Sequence, residues 1–285
     1  MWKPEHRLAF DRRGLRYPSD LTDGEWALVA PLIPPGRRGG RKRSVDVREV
    51  LNAIFYVLAT GCQWNALPKD LPPKSTAHFY FMLWDWDGTL ERIHEALYVA
   101  VREAAGREAS PSAAIIDSQS AKAAQKGALR STLRASTRAT LRPAQEVAGR
   151  KRHILVDTLG LLLGVSILPA HIQDRDGARD LLKRVRRRFP FIDRIFADAG
   201  YQGPKMAKAV ATTGSWRLEV VKRSDLHRFV ALPKRWIVER TFAWISRNRR
   251  LARDYERYTT TVAAFVRLAM IRIMLKRFTK PSPCS

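Results

Sequence analysis

The chain has 285 residues, of which 45% are hydrophobic, so it is long enough for two domains and apolar enough to form a packed core. Its 52 Lys and Arg residues outnumber 27 Asp and Glu residues, and the resulting net charge of +25 predicts a polyanionic partner such as DNA or RNA rather than a merely soluble basic protein. Two distant cysteines, no apolar leader and no membrane-length apolar run argue against a disulfide framework, secretion and a membrane protein, and favour a cytoplasmic, nucleoid-associated location.

The first part of the chain predicts a mostly helical domain over residues 1–105. Thr22 and Glu25 form a capping-box pattern at the start of its first predicted helix. A second helix is predicted between Asp46 and Gly61, because apolar residues recur there at helical spacing.

Two stretches of this domain are candidates for binding DNA. The loop "GRRGGRKR" predicts an arm along a phosphate backbone or minor groove, with a solvated loop as the alternative, through Arg37, Arg38, Arg41, Lys42 and Arg43. A third predicted helix is capped by Ser75, and its start could enter a DNA groove through Lys74, Ser75 and Thr76. The connection before this helix is longer than the turn of a minimal helix-turn-helix motif. The aromatic residues of this third predicted helix are predicted to lie in the core: Phe79, Phe81, Trp84 and Trp86.

After a predicted linker over 106–112, residues 113–278 predict a mixed sheet flanked by helices, which is an α/β fold. "AAIID" is the first strand, and "RHILVDTLGLLLGVSIL" reads as two strands joined by a turn at 157–160. Helices and strands then alternate, and "KRWIVERTFAWISRNRR" is a late helix. The segment 121–150 is a basic, low-complexity insert, for which an arginine-striped helix and a disordered segment are both open.

Three carboxylates of this domain are candidates for one site. Asp117 in "IIDSQ" and Asp198 in "IFADAG" each follow an apolar run, so each is predicted at the carboxyl edge of the sheet. Two neighbouring carboxylates repel unless a cation lies between them. Glu239 lies beside the buried stripe of its predicted helix and can point at this edge, with a simple i, i+4 pair to Arg235 as the alternative.

Carboxylate oxygens favour hard cations, and two such ions can activate an attacking hydroxyl and stabilise the leaving oxygen of a phosphodiester. The sequence therefore predicts that Asp117, Asp198 and Glu239 are catalytic and hold Mg²⁺ or Mn²⁺, as two ions. Nearby cations would hold the DNA chain: Arg150, Lys151, Arg152, Arg235, Arg240 and Arg247. Other acids are assigned structural roles, a hairpin turn for one and helix capping for two: Asp157, Asp174 and Asp176.

Several long motifs follow one another over residues 17–275: "LTDGEWALVAPLIP", "VLNAIFYVLATGCQWNALP", "IIDSQS", "GRKRHILVDTLGLLL", "QDRDGA", "ADAGYQG" and "RWIVERTFAW" with "NRRLARDYE". In this order they resemble the motifs of bacterial insertion-sequence DDE transposases of the IS4/IS5 type. A set of long motifs in one order is far more specific than three acids at a given spacing.

The resemblance implies an RNase H-like catalytic fold with Asp117, Asp198 and Glu239 as metal ligands. It implies hydrolytic nicking at the ends of a mobile element, followed by attack of the freed 3′-hydroxyl on target DNA. Double-stranded DNA, as terminal inverted repeats and target, would be the partner, and a homodimer or higher oligomer is expected on it. The alternatives are a non-catalytic DNA-binding repressor or inactivated remnant, and a metal-dependent nuclease without strand transfer.

The sequence departs from the family pattern in two places. The wider group has a Tyr–Arg–Glu–Lys pattern, but Leu232 replaces the Tyr and Ser246 replaces the Lys, so Arg247 is a candidate for the missing phosphate contact. An Arg/Ala/Thr/Leu tract over 127–147 replaces the usual segment before "GRKRH". A local shift of reading frame would explain this tract, and comparing the reading frames of the gene tests that hypothesis.

Overall fold

A five-stranded sheet organises the larger part of the chain in this computed structural model, which describes residues 12, 14–36, 39, 42–124, 149–213, 216–220 and 234–278. Two units divide the chain. The first comprises the described parts of Met1–Arg107, Asn248–Arg250 and Arg267–Ser285, and the second comprises those of Glu108–Arg247 and Leu251–Val266. The predicted boundaries at 1–105, 106–112 and 113–278 remain predictions.

Helices make up most of the first unit: α1 (Asp23–Val29), α2 (Val47–Thr60), α3 (Lys74–Trp86) and α4 (Thr89–Ala104). The predicted capping box is confirmed, because the Thr22 side chain accepts from the Glu25 backbone N–H while the Glu25 carboxylate accepts from the Thr22 N–H. Asp46 caps α2 by accepting from two backbone N–H groups, and Gly61 ends it in the left-handed conformation at φ +71°.

The start of α3 differs from the prediction. Its N-cap is Pro73, which makes no side-chain capping bond, so Ser75 lies inside the first turn rather than before it. Pro73 is the last residue with an extended backbone, at φ −51° and ψ 142°. The helix therefore begins at Lys74, one residue before Ser75. Two aromatic residues were also wrongly predicted as core, because helical spacing places them opposite the buried Phe81 and Trp84: Phe79 is 59% exposed and Trp86 81% exposed.

The sheet of the second unit comprises β1 (Ala113–Lys122), β2 (Gly149–Asp157), β3 (Leu162–Pro169), β4 (Arg194–Ala197) and β5 (Arg217–Val220). The strand order is β3-β2-β1-β4-β5. The first three strands are antiparallel, whereas β4 pairs with β1 in parallel and β5 with β4 in parallel. This mixed sheet confirms the predicted RNase H-like fold class. Its centre is apolar, since Ile115 and Leu155 are buried.

The helices that contact this sheet are α5 (Asp174–Arg188), α6 (Pro204–Thr213) and α7 (Arg235–Ser246). The chain continues with α8 (Arg249–Ala252) and α9 (Thr259–Phe278), each of which has residues in both units. α5 packs on β3 and β2, and α7 packs on β1. The close approach of α5 depends on Gly164 in β3, because a Cβ there would lie 2.7 Å from Val185 and 2.9 Å from Leu181. None of the helices in the described ranges combines the length and hydrophobicity that crossing a bilayer requires.

Some predicted features fall outside the described residues. These are Arg37, Arg38, Arg41, Leu232 and the 125–148 part of the basic insert, including the atypical 127–147 tract. The predictions made for them stay predictions.

Candidate active site

The pairing of β1 with β4 sets the first feature of the site. Ile115 lies opposite Phe196 in the parallel register, so two residues further along each chain come Asp117 and Asp198. The prediction that Asp117 ends its strand is wrong, because β1 continues to Lys122 and pairs with β2 along that extension. β4 does end at Ala197. The structure therefore places Asp117 where the sheet loses its parallel neighbour, beside the chain that leaves β4.

The Asp117 carboxyl group is electrostatically strained. Burial raises its pKa to about 6, although the Ser118 backbone N–H donates to its Oδ1 at 2.7 Å. The charges of Asp198 and Asp174 contribute to this raised pKa, whereas the Arg235 guanidinium opposes it. An additional cation beside Asp117 would thus favour its ionised form.

Asp198 lies at the start of the short helical turn Ala199–Tyr201. Its Oδ1 accepts from the Gly200 backbone N–H at 2.9 Å, which fixes the carboxylate at the edge of the sheet. A Cβ on Gly200 would lie 3.1 Å from Asp198 Oδ1 and 3.3 Å from Asp174 Oδ2. Two carboxylates therefore converge on the glycine of the "ADAG" motif.

Glu239 reaches this group of acids through Arg235. The Arg235 guanidinium forms ion pairs with both carboxylates, with Nε 3.0 Å from Glu239 Oε1 and Nη2 4.0 Å from Asp198 Oδ2. The predicted i, i+4 pair is therefore present, but it is part of a bridge to the strand edge. The Glu239 side chain is 57% exposed, so the ion pair alone contributes little stability.

The hairpin between β2 and β3 anchors α7. Asp157 holds the turn by accepting from the Leu159 and Leu161 backbone N–H groups at 2.9 and 2.8 Å. The Thr241 hydroxyl in α7 donates to the Gly160 carbonyl at 2.9 Å. Gly160 adopts φ +79°, and a Cβ there would lie 2.8 Å from the Thr241 hydroxyl. A side chain at this turn would thus displace the helix that carries Glu239.

Asp174 belongs to the site, contrary to its predicted role as a helix cap. The residue before α5 is Gln173, which makes no side-chain capping bond. Asp174 Oδ1 instead accepts from the Ser118 hydroxyl at 2.6 Å and from Lys151 Nζ at 2.9 Å. Burial alone would raise the pKa of Asp174, but these two hydrogen bonds bring it below its ordinary value.

One signal in the sequence could have found Asp174. Because β2 is antiparallel to both β1 and β3, β3 runs in the same direction as β1 and β4. The chain that leaves β3 therefore emerges at the same edge as the chain that leaves β4. Asp174 lies five residues after Pro169, the last residue of β3, and reaches the same group of carboxylates.

The three predicted DNA-binding cations of β2 are engaged inside the second unit. Arg150 donates to the Glu256 and Arg257 carbonyls and pairs with Asp254 at 3.2 Å. Lys151 bonds Asp174 and the Ile172 carbonyl. Arg152 is 2% exposed and donates to the Leu251 carbonyl at 2.6 Å, so its burial is incompatible with the predicted phosphate contact.

The remaining described cations differ in their surroundings. Arg247 is exposed at the end of α7, whereas Arg240 donates to the Leu159 carbonyl at 3.2 Å. In the first unit, Lys42 is exposed and Arg43 donates to the Pro34 carbonyl. At the start of α3, Ser75 is exposed, Thr76 is half-buried and Lys74 bonds Asn65. The residues among these that are exposed at the surface are Lys42, Arg43, Lys74, Ser75 and Arg247.

The donor chemistry of the site fits a hard divalent cation, although the three predicted ligands are not assembled around one point. Asp117 and Asp198 offer carboxylate oxygens side by side, and the pKa of Asp117 is raised mainly by burial and further by the charges of the neighbouring acids. Within the described ranges, no group of three or more His, Cys, Asp or Glu side chains is arranged to hold an ion. The cation between Asp198 and Glu239 is the Arg235 guanidinium.

Two family profiles match the chain. "Putative transposase of IS4/5 family" matches residues 21–94, and "Transposase DDE domain" matches residues 108–274. The second match spans more than half of the chain and includes the whole group of acids described above.

Individual proteins agree with these profiles. The "Insertion element IS402 uncharacterized 16.2 kDa protein" of Burkholderia cepacia is 33% identical over 113 residues, which cover 38% of this chain and 76% of that protein. The "Putative transposase for insertion sequence element IS402" of Burkholderia cepacia is 28% identical over 137 residues, which cover 42% of this chain and 60% of that protein. The structure titled "Mos1 transposase paired-end complex with left transposon end" aligns over 66% of this chain and 61% of its own at 11% identity, and its TM-score of 0.24 carries no conclusion. The chain therefore belongs to the DDE transposases of the IS4/IS5 type.

Proposed function

We propose that this transposase cuts DNA at the ends of its insertion sequence and joins those ends to target DNA. The observation that carries the proposal is that Asp117 and Asp198 are neighbours at one edge of the sheet while Arg235 bridges Asp198 to Glu239. In the first step, a water oxygen bonds to phosphorus as the P–O3′ bond breaks. In the second step, the freed 3′-hydroxyl attacks a target phosphodiester and displaces its 3′ oxygen.

Asp117, Asp198 and Glu239 would hold Mg²⁺ or Mn²⁺, and two ions are proposed. A metal bound there would activate the attacking hydroxyl and stabilise the negative charge on the leaving oxygen. Burial and the neighbouring acids give Asp117 the strongest need for a cation, because they raise its pKa to about 6. Asp198 is oriented by the Gly200 N–H, so its carboxylate needs little reorganisation to act as a ligand.

Arg235 and Asp174 have supporting roles in this proposal. Arg235 balances Asp198 and Glu239 in the free protein and is placed to exchange that contact for a DNA phosphate, as an arginine readily does. Asp174 holds the Ser118 hydroxyl and thereby the backbone beside Asp117. It is a positioning residue rather than a proposed metal ligand.

Double-stranded DNA is the proposed partner, both as the terminal repeats of the element and as target. The net charge of +25 supports this, because phosphate contacts draw their affinity from counterion release. Cutting two ends and joining them requires two active sites, so we propose a homodimer or higher oligomer on DNA.

The test of catalysis is Asp198→Ala, measured with DNA fragments that carry the ends of the element. We expect loss of Mg²⁺-dependent cleavage by about 10³-fold or more, with DNA affinity retained, since the site loses a proposed metal ligand. Asp193→Ala is the matched control, because Asp193 lies just before the other end of β4 and pairs with the surface residues Arg194 and Arg217. Equal cleavage by wild type and Asp198→Ala would contradict the assignment of this site.

Strand joining needs its own experiment. Pre-cleaved ends incubated with plasmid and Mg²⁺ should give covalently joined products that depend on Asp117 and Glu239. Cleavage without joining would favour a nuclease, and tight DNA binding without either reaction would favour a repressor or an inactivated remnant.

A further inference from the structure

The helix α3 of the first unit presents an apolar row to solvent, on the face opposite its buried residues. Phe79, Met82 and Trp86 recur at i, i+3 and i+7, which places them in one row along the helix, and they are 59%, 36% and 81% exposed. The two aromatic rings alone leave roughly 300 Å² of apolar surface in water, since such side chains bury about 150–250 Å² when they are covered. An exposed apolar patch of this size commonly marks a surface that another molecule covers. We call Phe79, Met82 and Trp86 the α3 stripe.

The charge around the α3 stripe differs from that of the whole chain. Residues 74–95 contain four acids and two Lys or Arg residues, whereas the chain as a whole carries a net charge of +25. A locally acidic surface repels the phosphates of DNA, so nucleic acid is a poor occupant for this face. A protein surface that combines apolar side chains with complementary charges fits it better.

The two ends of the stripe carry opposite charges. Lys74 is exposed at the start of α3, and its amino group bonds the neutral side-chain amide of Asn65. At the other end, burial and the charge of Glu91 raise the pKa of Asp85, although Arg267 opposes this, so Asp85 and Glu91 lie close together. The dipole of the helix adds to the same polarity, positive at its start and negative at its end.

This polarity makes the stripe complementary to a second copy of itself in the antiparallel direction. A two-fold axis midway between Phe79 and Trp86 would bring Phe79 of each copy opposite Trp86 of the other, with the two Met82 side chains at the axis. Lys74 of each copy would then reach past the end of α3 of the other, where Asp87 and Glu91 lie. A two-fold contact closes on itself and gives a dimer.

We propose that the α3 stripe is the contact surface between two copies of this chain, which pack through antiparallel α3 helices. The proposal rests on the proposed function, which requires two active sites, and it names the surface that joins them. In this arrangement Lys74 contacts protein rather than DNA. The two aromatic rings cover less than the roughly 800 Å² per partner of a standard interface, so we expect a reversible dimer with a dissociation constant in about the micromolar range.

The experiment is sedimentation velocity of the full chain without DNA, over a range of protein concentrations. We expect wild type to dimerise and Trp86→Ala to raise the dissociation constant of the dimer by about 30-fold or more, as removal of a central interface tryptophan does. Phe191→Ala is the matched control, because Phe191 is a 73% exposed aromatic residue of the second unit, and it should dimerise like wild type. Thermal melting should show that both variants remain folded, since both side chains are exposed.

Charge reversal tests the antiparallel direction. Lys74→Glu should weaken the dimer several-fold at low salt, because it places like charges opposite each other. Adding Glu91→Lys in the same chain should restore most of the affinity, since each copy then presents the reversed pair. A purely structural role of Lys74 within its own helix would not be rescued in this way.

Three outcomes overturn the proposal. The first is a wild type that stays monomeric at micromolar concentration, and the second is a dimer whose dissociation constant Trp86→Ala leaves within two-fold of wild type. The third is a loss of affinity in Trp86→Ala for a short duplex that binds one copy, which would assign the stripe to DNA. None of these measurements uses cleavage. Failure of Asp198→Ala to abolish cleavage would therefore contradict the proposed catalytic site and leave the result for the dimer intact, whereas a dimer formed through another surface would contradict the assignment of the α3 stripe alone.

Discussion

Two basic stretches of the second unit differ in how far their cations are engaged by the protein itself. In β2, Arg150, Lys151 and Arg152 are consecutive, and all three are engaged by carbonyls or carboxylates of the same unit. In α7, three cations are spread along the helix and differ: Arg235 bridges acids, Arg240 is fixed between two tryptophans, and Arg247 is exposed.

The difference follows from the geometry of the two elements. Side chains of β2 alternate between its two faces, and both faces are covered: Lys151 meets the segment around Asp174, whereas Arg150 and Arg152 meet the segment 251–257. α7 rests on the sheet by one face only, and its other residues border solvent. A run of positive charge therefore does not by itself identify a surface that binds DNA. The position of the element in the fold decides whether the cations stabilise the protein or contact a partner.

The largest expected effect is on folding, through β2. Arg152→Met should lower the free energy of unfolding by about 3 kcal/mol, because it removes a buried charge-assisted hydrogen bond and leaves the Leu251 carbonyl without its donor. Urea denaturation measures this. Arg247→Met, at an exposed position of the other stretch, should change stability by less than about 0.5 kcal/mol. Similar losses of unfolding free energy in Arg152→Met and Arg247→Met would contradict the proposed difference between β2 and α7.

The next effect is a pH dependence, also from β2. His153 is fully buried, neither ring nitrogen has a hydrogen-bond partner in the described part of the chain, and burial lowers its pKa to about 4. The unfolded chain, with an ordinary pKa near 6.5, then binds the proton more readily. The contribution of neutral His153 to the free energy of unfolding is therefore fully present above about pH 6.5. It is lost, by up to about 3 kcal/mol, as the pH drops towards 4.

His153→Leu isolates this contribution. Unfolding measured at about pH 7 and about pH 5 should show a smaller acid-induced loss in the variant than in wild type, because no imidazole remains to be protonated. His171→Leu is the control, since that residue is not fully buried. An unchanged acid sensitivity in His153→Leu would show that other groups dominate.

A smaller effect is expected from Lys151, the cation of β2 that serves the site. Lys151→Met removes a hydrogen bond to Asp174 and should raise the pKa of that carboxyl group, because the positive charge helped to lower it. Cleavage should fall by about ten-fold, with the acid limb of the pH–rate profile displaced to higher pH. A parallel loss at every pH would instead indicate a structural role only.

The smallest effect is expected from Arg247. Arg247→Ala should reduce affinity for duplex DNA by a few-fold and reduce the magnitude of the salt dependence by about one counterion, without any change in melting temperature. Filter binding over a salt series measures both quantities. Retention of the full salt slope would exclude Arg247 as a phosphate contact. The cations of α7 would then differ less from those of β2 in their availability to DNA.

Local sequence placed two acids of the site correctly and missed a third. Asp117 and Asp198 could be placed together because each follows an apolar run, and the parallel pairing of β1 and β4 aligns them. Asp174 was missed because helix capping explains an Asp after a strand equally well from local sequence. Ser75 was misplaced because Pro73 had already begun the helix.

The aromatic residues of α3 show another limit. The sequence of α3 contains large apolar residues on more than one face, so it does not reveal which face is buried. In the structure Phe79 and Trp86 lie on the exposed face. Periodicity assigns an apolar residue to a face only when polar residues mark the opposite face.

The sequence by itself determined the family, the order of strands and helices, the capping of α1 and α2 and the neighbouring positions of Asp117 and Asp198. These depend on local spacing and on long motifs, which are properties of the chain alone. Only the tertiary structure decided that Asp174 joins the site, that Arg152 is buried and that Arg235 bridges Asp198 and Glu239. Each of these depends on which distant segments meet, and local spacing carries no information about the partner that a side chain will face.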